Sequence, residues 1–178
     1  MTYFLLIIAV ALVLMGGGYV ITQFLSLFTS APYVPTSSQR VQAMIEFAQL
    51  SEKNTVVDLG SGDGRLVVAA ARAGALAEGW EMNPLLVFWS RRALISLHLS
   101  DRAKIFSGSY RGRDFRHVDT VFLYVLPKEM ARLERWLPAA LRPGTQIIVN
   151  AFPFPTWTLE ERRGILYRYR VPSSTSSA

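Results

Sequence analysis

The stretch DLGSGDG, Asp58 to Gly64, stands between the apolar run Thr55 to Leu59 and a helical pattern that starts near Arg65. A strand that ends in glycines and passes straight into a helix marks the place where open α/β sheets bind ligands, outside the carboxyl ends of their strands. Gly60, Gly62 and Gly64 permit a sharp turn and a close approach that a Cβ would prevent. Their alternating spacing departs from the G-x-G-x-x-G fingerprint, in which a pyrophosphate rests on the helix N-terminus. Here Asp58 and Asp63 flank the glycines, and two carboxylates would repel a pyrophosphate. They suit a nucleoside cofactor bearing an ammonium and a sulfonium, because a carboxylate beside a cation gains Coulomb energy. Glu81, 19 residues beyond Gly62, ends the next strand, where an acid can accept hydrogen bonds from both ribose hydroxyls. The plainer alternative makes Asp58 and Asp63 helix caps and Glu81 a solvated strand end. Asn83-Pro84 reads as an N-cap and first helical residue, with Asn83 equally open to cofactor contact.

Working outward, Thr36 to Gln39 fits a capping box, and Val41, Met44, Ile45 and Ala48 recur on one face of a helix expected from Ser37 to Leu50. Further helices are expected to start near Arg65, Pro84 and Lys128. Strands fit Thr55 to Leu59, Ala75 to Glu81, Lys104 to Phe106, Thr120 to Val125 and Gln146 to Phe152. Alternation of this kind predicts a Rossmann-like α/β domain, with right-handed crossovers and helices on both faces of a parallel sheet. Trp157 to Glu160 and Ile165 to Val171, around a turn at Glu161 to Gly164, predict a closing antiparallel hairpin. The expected organisation is an anchor over residues 1–30, a preceding segment and helix over 31–54, the domain over 55–172 and a disordered tail over 173–178.

With 178 residues there is room for one domain. The absence of Cys and the presence of only His98 and His117 exclude disulfides and argue against a thiolate or histidine-rich metal centre, so no metal is expected. The first charged residue is Arg40, so the net charge of +6 belongs to residues 40–178. From Tyr3 to Phe28 the chain is uncharged and mostly apolar. As a helix it would reach about 39 Å, more than the roughly 30 Å hydrocarbon core of a bilayer. A single-pass membrane anchor is expected, with the domain on the cytoplasmic side because all nearby Arg and Lys follow the helix. A cleaved signal peptide fits less well, since the N-terminus lacks Lys and Arg. A buried core helix is a third reading.

Four segments resemble the seven-β-strand protein-lysine methyltransferases that act on the ATP synthase c-subunit and the adenine nucleotide translocase. They are PYVPTS at Pro32 to Ser37, DLGSGDGR at Asp58 to Arg65, GWEMNPLLVFWSRR at Gly79 to Arg92, and AFPFPTW at Ala151 to Trp157. The glycine loop alone would indicate only the superfamily, whereas PYVPTS with FPFPTW is more specific. The resemblance implies a sheet of order 3-2-1-4-5-7-6, S-adenosyl-L-methionine as methyl donor, and lysines of membrane proteins as acceptors. It implies cofactor contacts from Asp58, Gly60, Gly62 and Asp63, with Ser61 beside them, and a ribose-binding role for Glu81, with Met82 next to it. It also brings Tyr33 and Thr36 over the cofactor. Relatives often carry an acid after the third strand; here Ser109 and Tyr110 occupy that place and are the candidates for adenine recognition.

Methyl transfer from a sulfonium to an amine is an in-line displacement, so the protein must align the reactants and exclude water. A lysine at pH 7 must first lose a proton, which costs about 4.6 kcal/mol from a reference pKa near 10.4. An apolar pocket and the adjacent sulfonium both favour the neutral amine. Phe152, Phe154 and Trp157, on a loop stiffened by Pro153 and Pro155, are the pocket candidates; Tyr124 and Asn150, near strand ends, could orient the amine. Core packing is the alternative for the three aromatics. Competing functions are a nucleic-acid methyltransferase, a methyltransferase for lipids or other small molecules, and a non-catalytic nucleoside-binding scaffold. Arg91, Arg92, Arg102, Lys104, Arg111, Arg113 and Arg116 form a basic cluster, but Tyr124-Val125-Leu126-Pro127 stands where an N-P-P-Y loop would serve adenine methylation. Anionic lipid or solvent accounts for such a face better than nucleic acid does.

Overall fold

The computed structural model describes residues 4–7, 13, 16–17 and 35–172. The chain divides into two compact units, Met1–Val34 and Pro35–Ala178. In the first, the described residues are helical. Among the described residues no helix is long and apolar enough to cross a membrane, so the structure gives the expected spanning helix no support. Most of the run from Tyr3 to Phe28, and the tail over 173–178, lie outside the described residues.

In the second unit, the chain order is α1 (Ser38–Ala48), β1 (Thr55–Leu59), α2 (Arg65–Arg72), β2 (Leu76–Glu81), α3 (Pro84–Ser96), β3 (Ala103–Ser107), β4 (Thr120–Leu123), α4 (Pro127–Ala140), β5 (Gln146–Asn150), β6 (Glu161–Arg163) and β7 (Leu166–Arg170). They build one seven-stranded sheet of order β3-β2-β1-β4-β5-β7-β6. The first five strands are parallel, and β7 runs antiparallel to both β5 and β6.

Successive side chains of a strand point to opposite faces, and the central strands β1, β4 and β5 each feed two cores. Val56, Ala77, Ile105, Phe122 and Ile148 join the core beneath α1, α2 and α3. Their neighbours Val57, Leu59, Val121, Leu123, Ile147 and Val149 join a second core with Met130, Leu133 and Leu137 of α4. Three helices thus cover one face. Among the described residues the other has α4, helped by Phe115 and Val118 from the segment between β3 and β4.

Several element ends differ from those expected. The N-cap of α1 is Ser37, whose Oγ accepts from Arg40 N at 3.4 Å, so the cap lies one residue past Thr36. Val125 and Phe152 fall outside β4 and β5. The hairpin forms, but in a different place. Glu161–Arg163, read as its turn, is strand β6, while Trp157 to Glu160 is not a strand. The register pairs Glu161 with Arg168 and Arg163 with Leu166, and the chain reverses at Gly164, which has φ +60°. Charge signals a turn in an isolated sequence, yet an edge strand also favours charge, because it blocks pairing with another chain.

Candidate functional site

The glycine loop is held by the strand beside it. Gly60 N and Ser61 N both donate to the Trp80 carbonyl at 2.9 Å. From the end of β2, the Glu81 carboxylate accepts from Gly62 N at 2.9 Å and from Asn83 N at 2.7 Å. One acid thereby joins the loop to the start of α3. Asn83 caps that helix, its Oδ1 accepting from Leu85 N at 3.0 Å.

The glycines divide into two kinds. Gly60 has φ +91°, and a Cβ there would meet nothing within 4 Å, so open space lies over the loop. At Gly64 a Cβ would sit 2.7 Å from the Ser90 Cβ, which makes this glycine the contact that seats the loop against α3. Gly79 performs the same service in β2: a Cβ there would fall 2.7 Å from Ser61 Oγ. Two buried polar atoms near the loop lack a partner, Ser61 Oγ and Asn83 Nδ2. A buried polar group without a partner is costly, and such groups occur where a ligand completes them.

Asp58, at 8% exposure, lies one residue before the end of β1 and makes no side-chain hydrogen bond among the described residues. Its carboxyl is pushed up to about 8, by burial first, then by the charges of Glu81 and Asp63. Three acids converging with one of them desolvated is an arrangement that a bound cation relieves. Asp63 also has a partner within the chain. Its carboxylate is engaged by Arg65, with Nε at 2.9 Å and Nη2 at 2.5 Å. Arg65 also donates to the Thr36 carbonyl. Thr36 is therefore tied to the glycine loop through its backbone. Tyr33 lies outside the described residues.

Met82 is 46% exposed just past Glu81. Ser109 Oγ accepts from Arg111 N at 3.1 Å, and burial raises the Tyr110 phenol above its ordinary value. The Tyr110 ring lies 5.9 Å from that of Trp136 in α4. Arg111 pairs with the buried Glu129 at the start of α4, which fixes this loop.

At the ends of β4 and β5 stand Tyr124, partly buried, and Asn150, fully buried. Both polar atoms of the Asn150 side chain lack a partner. Ala151 follows with φ +75°, a strained conformation for a residue with a Cβ. Phe154 turns into the second core between Trp157, 4.8 Å away, and Tyr169, 4.9 Å away. Its N–H donates to the Tyr169 hydroxyl at 3.1 Å. Its place is thus a core place, whereas Phe152 and Trp157 stay partly exposed. The loop is pinned by a residue the sequence did not disclose: Glu134 of α4 accepts from Thr156 N and Trp157 N, both at 2.7 Å. Glu129 and Glu134 carry no motif of their own. Each gains its role by meeting a distant backbone or charge, which no local spacing reveals.

Residues 58–161, more than half the chain, match the family model of the ANTKMT methyltransferase domain. The chain belongs to this family. The ANTKMT domain match runs from Asp58 to β6 and so contains the glycine loop, Glu81 and the FPFPTW loop. A similar protein is the ATP synthase c-subunit lysine N-methyltransferase of Rattus norvegicus, 36% identical over 75% of this chain and 61% of that one. Another is a protein-lysine N-methyltransferase of Saccharolobus islandicus, 32% identical over 73% of this chain and 82% of the relative. Among solved structures, an RNA methyltransferase from Salinibacter ruber in complex with S-adenosyl-L-homocysteine superposes with a TM-score of 0.77 at 31% identity. That superposition covers 82% of this chain and 98% of the other. The chain spans between 53% and 61% of the length of its vertebrate relatives from rat, mouse, human and frog.

Proposed function

We propose that the chain is an S-adenosyl-L-methionine-dependent protein-lysine N-methyltransferase. The observation that carries this reading is the cradle between Asp58, Gly60 and Glu81, where a desolvated carboxyl, an open glycine and an acid at a strand end meet in an ANTKMT domain. These residues fit the cofactor. Asp58 would face its positive charge, Gly60 would allow its close approach, and Glu81 would accept from its ribose hydroxyls through lone pairs left by Gly62 and Asn83. Ser61 Oγ and Asn83 Nδ2 would gain the partner they lack. The cofactor supplies an activated methyl group; the chain supplies position and environment. Phe152 and Trp157 would form apolar walls for the lysine stem and favour its neutral amine, and Asn150 Oδ1, buried without a donor, would orient that amine. Ser109, Tyr110 and Met82 would border the adenine.

The acceptor class follows from the relatives named for lysine methylation. Lysines of membrane proteins are our preferred acceptors, and the uncharged Tyr3 to Phe28 run is our reason for placing the protein on a membrane as a single-pass chain with its domain on the cytoplasmic side. A second reading, RNA methylation, has one observation in its favour, the Salinibacter ruber structure. The full chain incubated with labelled S-adenosyl-L-methionine, and separately with membranes and with total RNA, distinguishes them. Methyl-lysine in digested membrane protein is the expected product. Label confined to RNA or to the lipid extract would overturn the assignment, and absence of cofactor binding would leave only a scaffold role.

A further inference from the structure

Helix α3 has two apolar faces. Leu86, Val87 and Leu94 are buried, with Val87 and Leu94 in the core beneath the sheet. On the other side, Phe88, Trp89 and Ile95 are 55%, 62% and 62% exposed. Spacings of three, four and seven residues through Arg92 set these side chains on one stripe. The Phe88 and Trp89 rings meet edge to face, 5.4 Å between centroids, so they form a single patch. A helix that is apolar all round belongs in a protein core or against lipid, and a contiguous apolar patch on a surface marks an interaction site.

The charge around the patch selects the occupant. There is no Asp or Glu from Met82 to Ser100, whereas Arg91 and Arg92 both lie on this helix and both are exposed. Arg91 is spent on the Ile105 carbonyl, at 3.0 and 2.8 Å. Arg92 makes no hydrogen bond or ion pair among the described residues and sits in the middle of the stripe. Trp rings settle at the headgroup level of a bilayer, Phe and Ile side chains bury at the boundary beneath it, and a basic residue beside them is drawn to anionic lipid. An acid-free helix with Arg92 between two exposed aromatics and an exposed Ile95 has that composition.

We infer that the outer face of α3, through Phe88, Trp89, Arg92 and Ile95, rests on the surface of an anionic bilayer. This contact is separate from the N-terminal apolar run and independent of the methylation assignment. It sets the start of α3, and with it Met82 and the mouth of the cradle, against the lipid surface.

The test uses the full chain reconstituted into vesicles of phosphatidylcholine, with or without phosphatidylglycerol, whose acyl chains carry bromine. Tryptophan emission is expected to be quenched in the anionic vesicles, and Trp89→Phe is expected to remove most of the quenched component while leaving thermal unfolding unchanged. Arg92→Glu is expected to weaken the quenching in anionic vesicles roughly tenfold, and to change little in neutral ones. Quenching that survives Trp89→Phe unaltered, or that is equally strong in neutral vesicles, would overturn the inference. So would an unquenched Trp89, the result expected if a second copy of the chain or the N-terminal run covered the patch.

Discussion

At Asp58, burial and two neighbouring acids hold the proton on the folded protein up to about 8, while the unfolded chain releases it near 3.8. Between those values the folded state binds the extra proton, so the contribution of Asp58 to stability is complete at low pH and is lost as pH rises toward 8. Asp58→Asn is therefore expected to flatten the fall in Tm of the unliganded protein between pH 3.8 and about 8, as scanning fluorimetry across this range would register. A cationic cofactor needs the carboxylate, so its binding below pH 8 should expel a proton. Titration calorimetry in buffers of differing ionisation heat would detect this release, and Asp58→Asn should abolish it and cut affinity about 10- to 100-fold, the size of a charged contact. Gly60 makes a complementary case. An alanine at φ +91° costs about 1–2 kcal/mol in strain and fills the open space over the loop. Gly60→Ala should weaken cofactor binding even where the variant remains folded, a result equilibrium dialysis would show.

Among the elements, α4 sets the placement of both loops that were candidates for the site. Glu129 holds the Arg111 loop and Glu134 holds the FPFPTW loop. Glu134→Ala leaves the Thr156 and Trp157 N–H groups without their charged acceptor, at about 1.5–3 kcal/mol for each bond. Because this loop is the proposed lysine wall, KM for the protein acceptor is expected to rise while the dissociation constant of the cofactor stays constant. Steady-state kinetics paired with calorimetry would separate the two, and a matched loss of cofactor affinity would refute the division of labour. The same scale shows where legibility stopped. Helix starts near Arg65 and Pro84 were readable because apolar periodicity and the Asn-Pro cap are local. The position of β6 was not, because Glu161-Arg162-Arg163 becomes a strand only by pairing with β7, where Arg168 meets Glu161 at 2.6 Å and Arg162 lies over the Tyr167 ring at 5.4 Å.

Across the domain, Arg168 links the first helix to the last strand. Its guanidinium donates to the Phe47 carbonyl of α1, lies 4.3 Å over the Phe47 ring and pairs with Glu161, while being 7% exposed. Removing one partner of a buried charged network costs about 3 kcal/mol or more. At roughly 2–4 °C per kcal/mol for a domain of this size, Arg168→Met should lower Tm by on the order of 10 °C. Calorimetry of the second unit should still show a single transition, since α1 and β7 enter one sheet-centred core. A second link joins the same regions to the site: Arg65 bridges Asp63 to the Thr36 carbonyl, so the segment ahead of α1 and the glycine loop are held together.

The alternation of strands and helices, the loop at Asp58 to Gly64 and the acid at Glu81 were legible in the chain alone, because each depends on neighbours within a few residues or on one strand-to-helix turn. Its resemblance to lysine methyltransferases implied the strand order later seen in the sheet. That Arg65 reaches the Thr36 carbonyl, that Phe154 faces the core, that Gly64 serves packing and that α3 keeps an open apolar face became visible in the closed fold alone. Those outcomes rest on which distant groups meet and on what each side chain buries, and such energies arise only when the chain has closed on itself.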